Sequence, residues 1–199
     1  MKTKILSVIT MFVVVLGLTK STYANTSSND AFTVLNDISA ISKIEVHGNV
    51  ELYISDATSD QVKVYNKYYA ESALVQSKNG VLRISSYKTD KLVVWVSAKD
   101  LRSVSVFDNS TVKSFGKLSK IEFNVDLHDN AVANLDLDAF NITLAVKDSA
   151  KVDLKGFAEE LNMDRNIASN VKTNDFAVAH LIENKTVFTA DLGNKVIGM

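Results

Sequence analysis

The sequence predicts an all-β protein and, within that class, a single-domain parallel β-solenoid. A short motif, in which apolar residues alternate with polar ones up to a corner residue, recurs from residue 44 onward. Proline is absent from all 199 residues, which favours a chain of paired strands because proline lacks the N–H donor that a strand ladder needs. Cysteine is also absent, so neither disulfides nor thiolate-bound metals are available to hold the fold together.

The first 24 residues have the pattern of a signal peptide. A basic start precedes an apolar stretch from Ile5 to Leu18, which at roughly 14 residues is short of the roughly 20 that a spanning helix needs. Small residues at Thr22 and Ala24 predict cleavage between Ala24 and Asn25 and no membrane span in the mature chain. The predicted organisation is a signal peptide over residues 1–24, a flexible polar N-terminus over 25–31 and the β-solenoid over 32–199.

The charge of the mature chain argues against a nucleic-acid partner. Without Lys2, Lys4 and Lys20 of the predicted signal peptide, 19 Lys and Arg remain against 23 Asp and Glu, a net charge of −4. No block of basic residues stands out anywhere in the chain. Nucleic-acid-binding domains carry the opposite balance.

Seven copies of the motif are predicted to form the coils of the solenoid. A typical copy is Val125-x-Leu127-x-Asp129-Asn130-Ala131-x-Ala133, with Asp129 at the corner. The first three corners are widely spaced, whereas the later ones approach a regular period near 20, which is typical of one β-helix coil. The predicted corners are Gly48, Lys78, Asp108, Asp129, Asp148, Arg165 and Glu183. The wide N-terminal spacings also suit hairpins, so a twisted antiparallel β-sandwich is the alternative fold.

The polar corner residues predict a bend in the chain. On a straight strand, Asp108, Asp129 and Asp148 would share the inward face with apolar neighbours, and buried unpaired carboxylates are costly. We therefore expect the chain to bend at each corner. The Asn that follows most corners is expected to take the left-handed conformation of the bend, because Asn tolerates it.

The aromatic residues lead to two structural predictions. Trp95, inside the apolar run Val93–Val96, is interpreted as a core residue, and a binding patch with Tyr68, Tyr69 and Tyr87 is the alternative. Four phenylalanines follow successive corners at similar distances and are expected to stack as a ladder at a second bend. They are Phe115, Phe140, Phe157 and Phe176.

The order of the apolar motifs resembles the head GIN domain family, a bacterial family described as an autotransporter adhesin head. The resemblance rests on Asn79–Ile84, Val93–Val96 and Leu101–Val106, with a similar opening at Ile41–Leu52. It extends over roughly residues 32 to 190. The resemblance implies a right-handed β-helix exported to the periplasm, the outer-membrane surface or the extracellular medium, with no established catalysis. In the family the corners are commonly small residues, so no role for the Asp corners follows from it.

Asp108, Asp129 and Asp148 are the candidate site that the sequence singles out. If neighbouring coils stack about 4.8 Å apart, these charges repel one another. Calcium, which takes oxygen ligands, would relieve the repulsion. The simpler interpretation is that each Asp makes hydrogen bonds within its own turn, with Arg165 and Glu183 continuing the column. We predict no catalytic residue and no cofactor other than this candidate calcium ion.

The sequence carries none of the phosphate-binding, dinucleotide-binding or nucleophile motifs of common enzymes. The leading prediction is therefore a non-enzymatic envelope or surface protein that binds an envelope protein or a glycan in an adhesin-like role. A hydrolase or lyase that acts on polysaccharide and a calcium-stabilised scaffold are the two alternatives.

Overall fold

A computed structural model describes residues 32–35, 38, 40–65 and 73–186, and within these ranges the protein is all-β. The strands are β1 (Thr33–Leu35), β2 (Lys43–Gly48), β3 (Val50–Asp56), β4 (Gln61–Tyr65), β5 (Ala73–Lys78), β6 (Val81–Ser86), β7 (Leu92–Ala98), β8 (Ser103–Val106), β9 (Thr111–Ser114), β10 (Leu118–Leu127), β11 (Val132–Val146), β12 (Lys151–Asn166) and β13 (Asn170–Thr186). The predicted signal peptide, its cleavage site and residues 187–199 lie outside the described residues. Within the described ranges, no helix with the length and hydrophobicity to cross a membrane is present.

The core is built from the alternation that the sequence shows. In β3, Val50, Leu52 and Ile54 are buried, while the residues between them face outward. The same pattern recurs in strand after strand, because successive side chains of a strand point to opposite faces. The inward residues together form one continuous apolar cluster.

The C-terminal half stacks as the period predicts. Strands β10, β11 and β12 pair in parallel, with Leu118 beside Leu137 and Val132 beside Lys151, so each layer lies one period further along the chain. β12 and β13 pair in the same way, apart from a register shift after Asp153. Each layer therefore buries its inward face against the next one in the chain.

The corners bend the chain as predicted, but the bending residue differs from the expectation. The φ angles of Asp108, Asp129 and Asp148 are 59°, 57° and 55°. The Asp itself therefore takes the left-handed conformation, not the residue after it, because Asp tolerates this region about as well as Asn does. At Asp108, Asp129 and Asp148 an N–H to C=O bond closes a four-residue turn, as from Ala131 N–H to His128 C=O (3.0 Å).

The sheet is mixed, so a purely parallel arrangement does not describe it. The strands join one 13-stranded sheet in which β1–β4, β4–β7 and β5–β6 are antiparallel and the other pairs parallel. The predominance of parallel pairs in a single sheet also does not fit the antiparallel sandwich. What the structure establishes is an all-β fold with a mixed sheet.

Lys78 is not a corner between two coils, contrary to the prediction. Lys78 pairs with Val81 in an antiparallel hairpin of β5 and β6, and Asn79-Gly80 forms the two-residue loop. Asn79 and Gly80 have φ angles of 52° and 79°, as a type I′ hairpin turn requires. Asn-Gly accepts positive φ angles, which suits a coil corner, but at Asn79-Gly80 these angles reverse the direction of the chain.

The N-terminal layers are stacked out of chain order. β2 lies between β6 and β8, and β3 lies between β7 and β9. The layer made by residues 43–56 is therefore inserted between the layers of residues 81–98 and 103–114. This insertion accounts for the wide spacing of the first three predicted corners. The number of residues between them is therefore not the length of one coil.

The last two predicted corners are also corrected. Glu183 lies within β13 and pairs with Met163, so the seventh copy makes no corner there. Arg165 pairs with Val146 and Lys185, so neither Arg165 nor Glu183 continues the Asp column. The two side chains form an ion pair with each other instead, with 2.6 Å between Arg165 Nε and Glu183 Oε1.

The second bend exists, but the predicted Phe ladder does not. Along β11 the buried residues switch from odd positions up to Ala139 to even positions from Ile142, which places Phe140 and Asn141 together on the outside. Phe140 and Phe157 are exposed, whereas Phe176 is buried. The ladder fails because the bend shifts the parity and Phe176 pairs with Gly156, not with Phe157.

Candidate functional site: the corner edge and the aromatic face

The three predicted Asp residues come together along one edge of the stack, which we call the corner edge (Gly48, Asp108, Asp129 and Asp148). Each carboxylate accepts a hydrogen bond from the backbone of the preceding layer. The donors are Gly48 N–H to Asp108 (2.8 Å), Asp108 N–H to Asp129 (3.0 Å) and Asp129 N–H to Asp148 (3.1 Å). A carboxylate that accepts a backbone N–H compensates for the ladder bond that a bend would otherwise leave unmade.

This geometry gives the Asp column a structural role. The bonds run between layers, not within one turn as the sequence suggested, so they fasten each corner to the one before it. The Asn side chains repeat the pattern, with Asn130 Nδ2 donating to Asn109 Oδ1 at 3.2 Å. Among the described residues, no group of three or more His, Cys, Asp or Glu side chains is placed to hold a metal ion.

Two histidines, His47 and His128, lie beside the corner edge, each one residue before a corner and half-buried. Their rings stack on either side of Phe107, at 4.4 Å for His47 and 4.8 Å for His128 between ring centroids. Tyr87, which is 75% exposed, lines a shallow groove of about 400 Å³ with Asn49 and Asp108. Tyr87 therefore lies beside Gly48 and Asp108 of the corner edge, whereas Tyr68 and Tyr69 of the alternative patch lie outside the described residues.

Trp95 is not a core residue, contrary to the prediction. It lies on the outward face of β7, between the buried Val94 and Val96. Its ring stacks on Tyr53 of β3 with 4.6 Å between centroids, and it contacts Phe115 at 5.0 Å and Tyr65 at 6.3 Å. Five rings gather on this surface, which we call the aromatic face: Phe32, Tyr53, Tyr65, Trp95 and Phe115.

Charged groups are interleaved with the rings of the aromatic face. Lys113 Nζ lies 2.6 Å from Glu51 Oε1 and 5.5 Å from the centre of the Tyr53 ring. The Tyr53 hydroxyl also donates to Glu51 Oε1, at 2.8 Å. The ammonium group of Lys113 holds the pKa of the Glu51 carboxyl below its ordinary value, and Glu51 in turn raises the pKa of Lys113. At neutral pH the face therefore presents fixed charges between aromatic surfaces.

One signal for this face was present in the sequence. The strict alternation in β3 predicts that Tyr53 points outward, because Leu52 and Ile54 point inward. In β7 nearly every residue is apolar, so alternation says nothing about Trp95. Only the pairing of β3 with β7, two strands that are remote in the sequence, brings the rings together.

The fold belongs to a class of all-β domains known from solved structures. A putative adhesin from Bacteroides fragilis NCTC 9343 is similar to the chain, with 14% identity, a TM-score of 0.67 and coverage of 79% of this chain and 78% of that one. A putative adhesin from Parabacteroides distasonis ATCC 8503 has 18% identity, a TM-score of 0.58 and coverage of 78% and 79%. A putative lipid binding protein from the same organism has 13% identity, a TM-score of 0.57 and coverage of 79% of each chain. At these identities the likeness shows the fold alone.

The family of the chain follows from its sequence. Residues 40–185 match the family described as "putative auto-transporter adhesin, head GIN domain", so the chain belongs to this family. The family expected from the apolar motifs is confirmed. No curated protein sequence matches the chain.

Proposed function

We propose that this protein is an exported, non-enzymatic binding module of the bacterial envelope, with an adhesin-like role, and that the aromatic face is its contact surface. The observation that carries the proposal is the gathering of five rings on the outside of the sheet. Phe115 is 61% exposed and Tyr65 is 37% exposed. Large exposed aromatic surfaces have a hydration cost, and soluble proteins keep them where a partner covers them.

The composition of the aromatic face supports this role. Trp and Tyr are the residue types that contribute most to binding free energy at interfaces, because they bury a large area with few rotatable bonds. They are held in place here by the strand pairing of β3, β7 and β4. A rigid platform loses little conformational entropy on binding.

The finer architecture and the location belong to the same proposal. Parallel layers shifted by about 20 residues support a right-handed β-solenoid, with hairpins added to its N-terminal part. The pattern of residues 1–24 supports export by way of a signal peptide. Intact-mass measurement of the protein secreted by a bacterial host is expected to give a chain that begins at Asn25, and a chain that retains Met1 would contradict the export step.

Two alternative functions have less support. A calcium-stabilised scaffold needs free carboxylates, whereas those of Asp108, Asp129 and Asp148 accept backbone hydrogen bonds. Under the proposed function, the melting temperature is the same with calcium and with a chelator. A polysaccharide hydrolase or lyase needs carboxylates that face a substrate. The carboxylates of the Asp column instead accept hydrogen bonds from backbone N–H groups.

The experiment compares two exposed phenylalanines in different places. Phe115 lies on the aromatic face, and Phe140 lies at the second bend with a similar exposure of 58%. Both variants, Phe115→Ala and Phe140→Ala, are probed with the wild type on arrays of bacterial glycans and envelope proteins. We expect a partner whose signal falls at least tenfold in Phe115→Ala and is unchanged in Phe140→Ala. Equal loss in both, or no partner above background, would contradict the proposal.

A further inference from the structure

We propose that the ligand of the aromatic face is an anionic polysaccharide, whose sugar rings lie across the strands along the row Lys63, Trp95, Tyr53 and Lys113. This inference rests on the proposed function and adds the chemical class of the ligand. It depends on the order of side chains in the row, on its charge and on the polar groups among the rings.

The row places two aromatic rings between two ammonium groups. Lys63 pairs with Trp95, Trp95 with Tyr53 and Tyr53 with Lys113, in adjacent strands β4, β7, β3 and β9. Strands are spaced about 4.8 Å apart, so the row extends over roughly 14 Å. An elongated ligand that lies across the strands therefore meets apolar surface in the middle, the ammonium group of Lys63 at one end and the ion pair of Lys113 with Glu51 at the other.

The charge of the row favours an acidic ligand. Lys63 makes no ion pair among the described residues, and its ammonium group lies 5.5 Å above the Phe32 ring. Lys91 lies close enough to Glu51 to lower the pKa of that carboxyl. In the row itself Lys63 and Lys113 carry two positive charges, and the one carboxylate bonded to the row within the described ranges is that of Glu51, on a chain that is acidic overall. A local excess of positive charge attracts carboxylate groups from solution.

Polar groups among the rings favour a sugar over a protein. The buried centre of a protein interface is depleted of charged residues, whereas here Glu51, Lys113 and the Tyr53 hydroxyl form a bonded network. Ser55 and Ser97 add a pair of hydroxyls 3.0 Å apart on the same outward face. A pyranose ring presents C–H groups that pack on aromatic carbons and hydroxyls that hydrogen-bond at the edge, and this mixture matches the face.

The test uses two defined oligosaccharides. Tetragalacturonate supplies the acidic chain and cellotetraose the neutral one, and titration calorimetry measures the binding of each to the mature protein. We expect tetragalacturonate to bind at least tenfold more tightly at about 20 mM NaCl, with most of this advantage lost at about 300 mM because salt screens exposed charges. Equal affinity for both sugars would overturn the acidic class.

Variants separate the contribution of charge from that of the rings. Lys63→Gln is expected to weaken tetragalacturonate binding about threefold to tenfold and to leave cellotetraose binding unchanged. Phe115→Ala is expected to weaken the binding of both sugars, and Lys147→Gln on the corner edge is the control that changes neither. Far-UV circular dichroism and melting temperatures confirm that each variant is folded.

The outcomes distinguish this inference from the proposed function. If neither sugar binds but an envelope protein binds and depends on Phe115, the polysaccharide inference fails and the binding module stands. If no partner of either kind depends on Phe115, both fail. If tetragalacturonate binds and is insensitive to Lys63→Gln and to Phe115→Ala, it binds elsewhere and the inference is overturned.

Discussion

The two halves of the molecule use similar corner residues in different ways. In residues 118–186 each layer follows the previous one, and the same Asp corner repeats at the same edge. In residues 43–114 the layers are inserted out of order, and Asn79-Gly80 turns a hairpin. Tyr53, Tyr65 and Trp95 of the aromatic face lie in residues 43–114, and no ring of that face lies in residues 118–186. Irregular stacking is what allows distant aromatic residues to become neighbours.

The largest effect is expected at a glycine that lies directly against the backbone of a neighbouring layer. Gly156 has a φ of 104°, and a Cβ there would lie 2.0 Å from Leu137 O in the next layer. Gly156→Ala should therefore destabilise the protein by about 3 kcal/mol, from steric overlap and backbone strain together. Urea denaturation measures the change.

Gly116 provides the matched control for that substitution. Its φ is also positive, at 79°, but nothing lies within 4 Å of the position that an added Cβ would take, so the site is open. Gly116→Ala is expected to cost only about 1 kcal/mol, the strain of the left-handed backbone. Equal costs at the two sites would show that contact between layers is not what restricts Gly156.

Substitutions at Asp129 of the corner edge are expected to lower the stability by intermediate and graded amounts. Asp129 combines a left-handed backbone with a carboxylate that accepts the N–H of Asp108. Asp129→Ala loses both features and should cost about 2 kcal/mol, whereas Asp129→Gly keeps the backbone freedom and should cost about 1 kcal/mol. Asp129→Asn keeps an acceptor and tolerates the backbone, so its stability should match the wild type.

Thermal and urea unfolding of the three variants test this order. The hydrogen-bond ladder between layers would be refuted if Asp129→Gly were as stable as the wild type. A destabilised Asp129→Asn would show instead that the negative charge, and not the acceptor, is what the corner requires.

The smallest effect is expected on the aromatic face and depends on pH. Lys113 lowers the pKa of Glu51 in the folded protein, so the pair stabilises the fold above the unfolded pKa of the carboxyl. This contribution is lost as the pH falls through the lowered, folded pKa. Glu51→Gln should therefore be less stable than the wild type at pH 7, by under about 1 kcal/mol because the pair is partly exposed.

Melting temperatures measured from pH 7 to pH 3 test the sign of this effect. The difference between the wild type and Glu51→Gln should shrink as the solution becomes acidic. Glu160→Gln, on the exposed outer side of β12, is the control and should show no such trend. A difference that stays constant with pH would mean that Glu51 acts through packing and not through its charge.

The sequence was most informative where local chemistry decides the structure. Inward and outward residues follow from alternation, and the bends at Asp129 and Asp148 follow from the cost of burying a carboxylate. The partner of each Asp did not follow, because the bonded N–H belongs to another layer. Lys78 was misplaced because Asn-Gly suits a coil corner and a hairpin equally well. Trp95 was misplaced because its strand is apolar on both faces.

The inserted layer of residues 43–56 has a consequence for the order of assembly. Its neighbours on both sides, β6 and β7 on one and β8 and β9 on the other, come later in the chain. During synthesis this layer emerges early, yet its first neighbour is complete only when residue 98 has followed and its second only when residue 114 has followed. Contacts of such long sequence separation slow folding, because the entropy of loop closure is lost before they form. Strands β2 and β3 therefore keep unpaired edges until the strands on both sides of them have been synthesised.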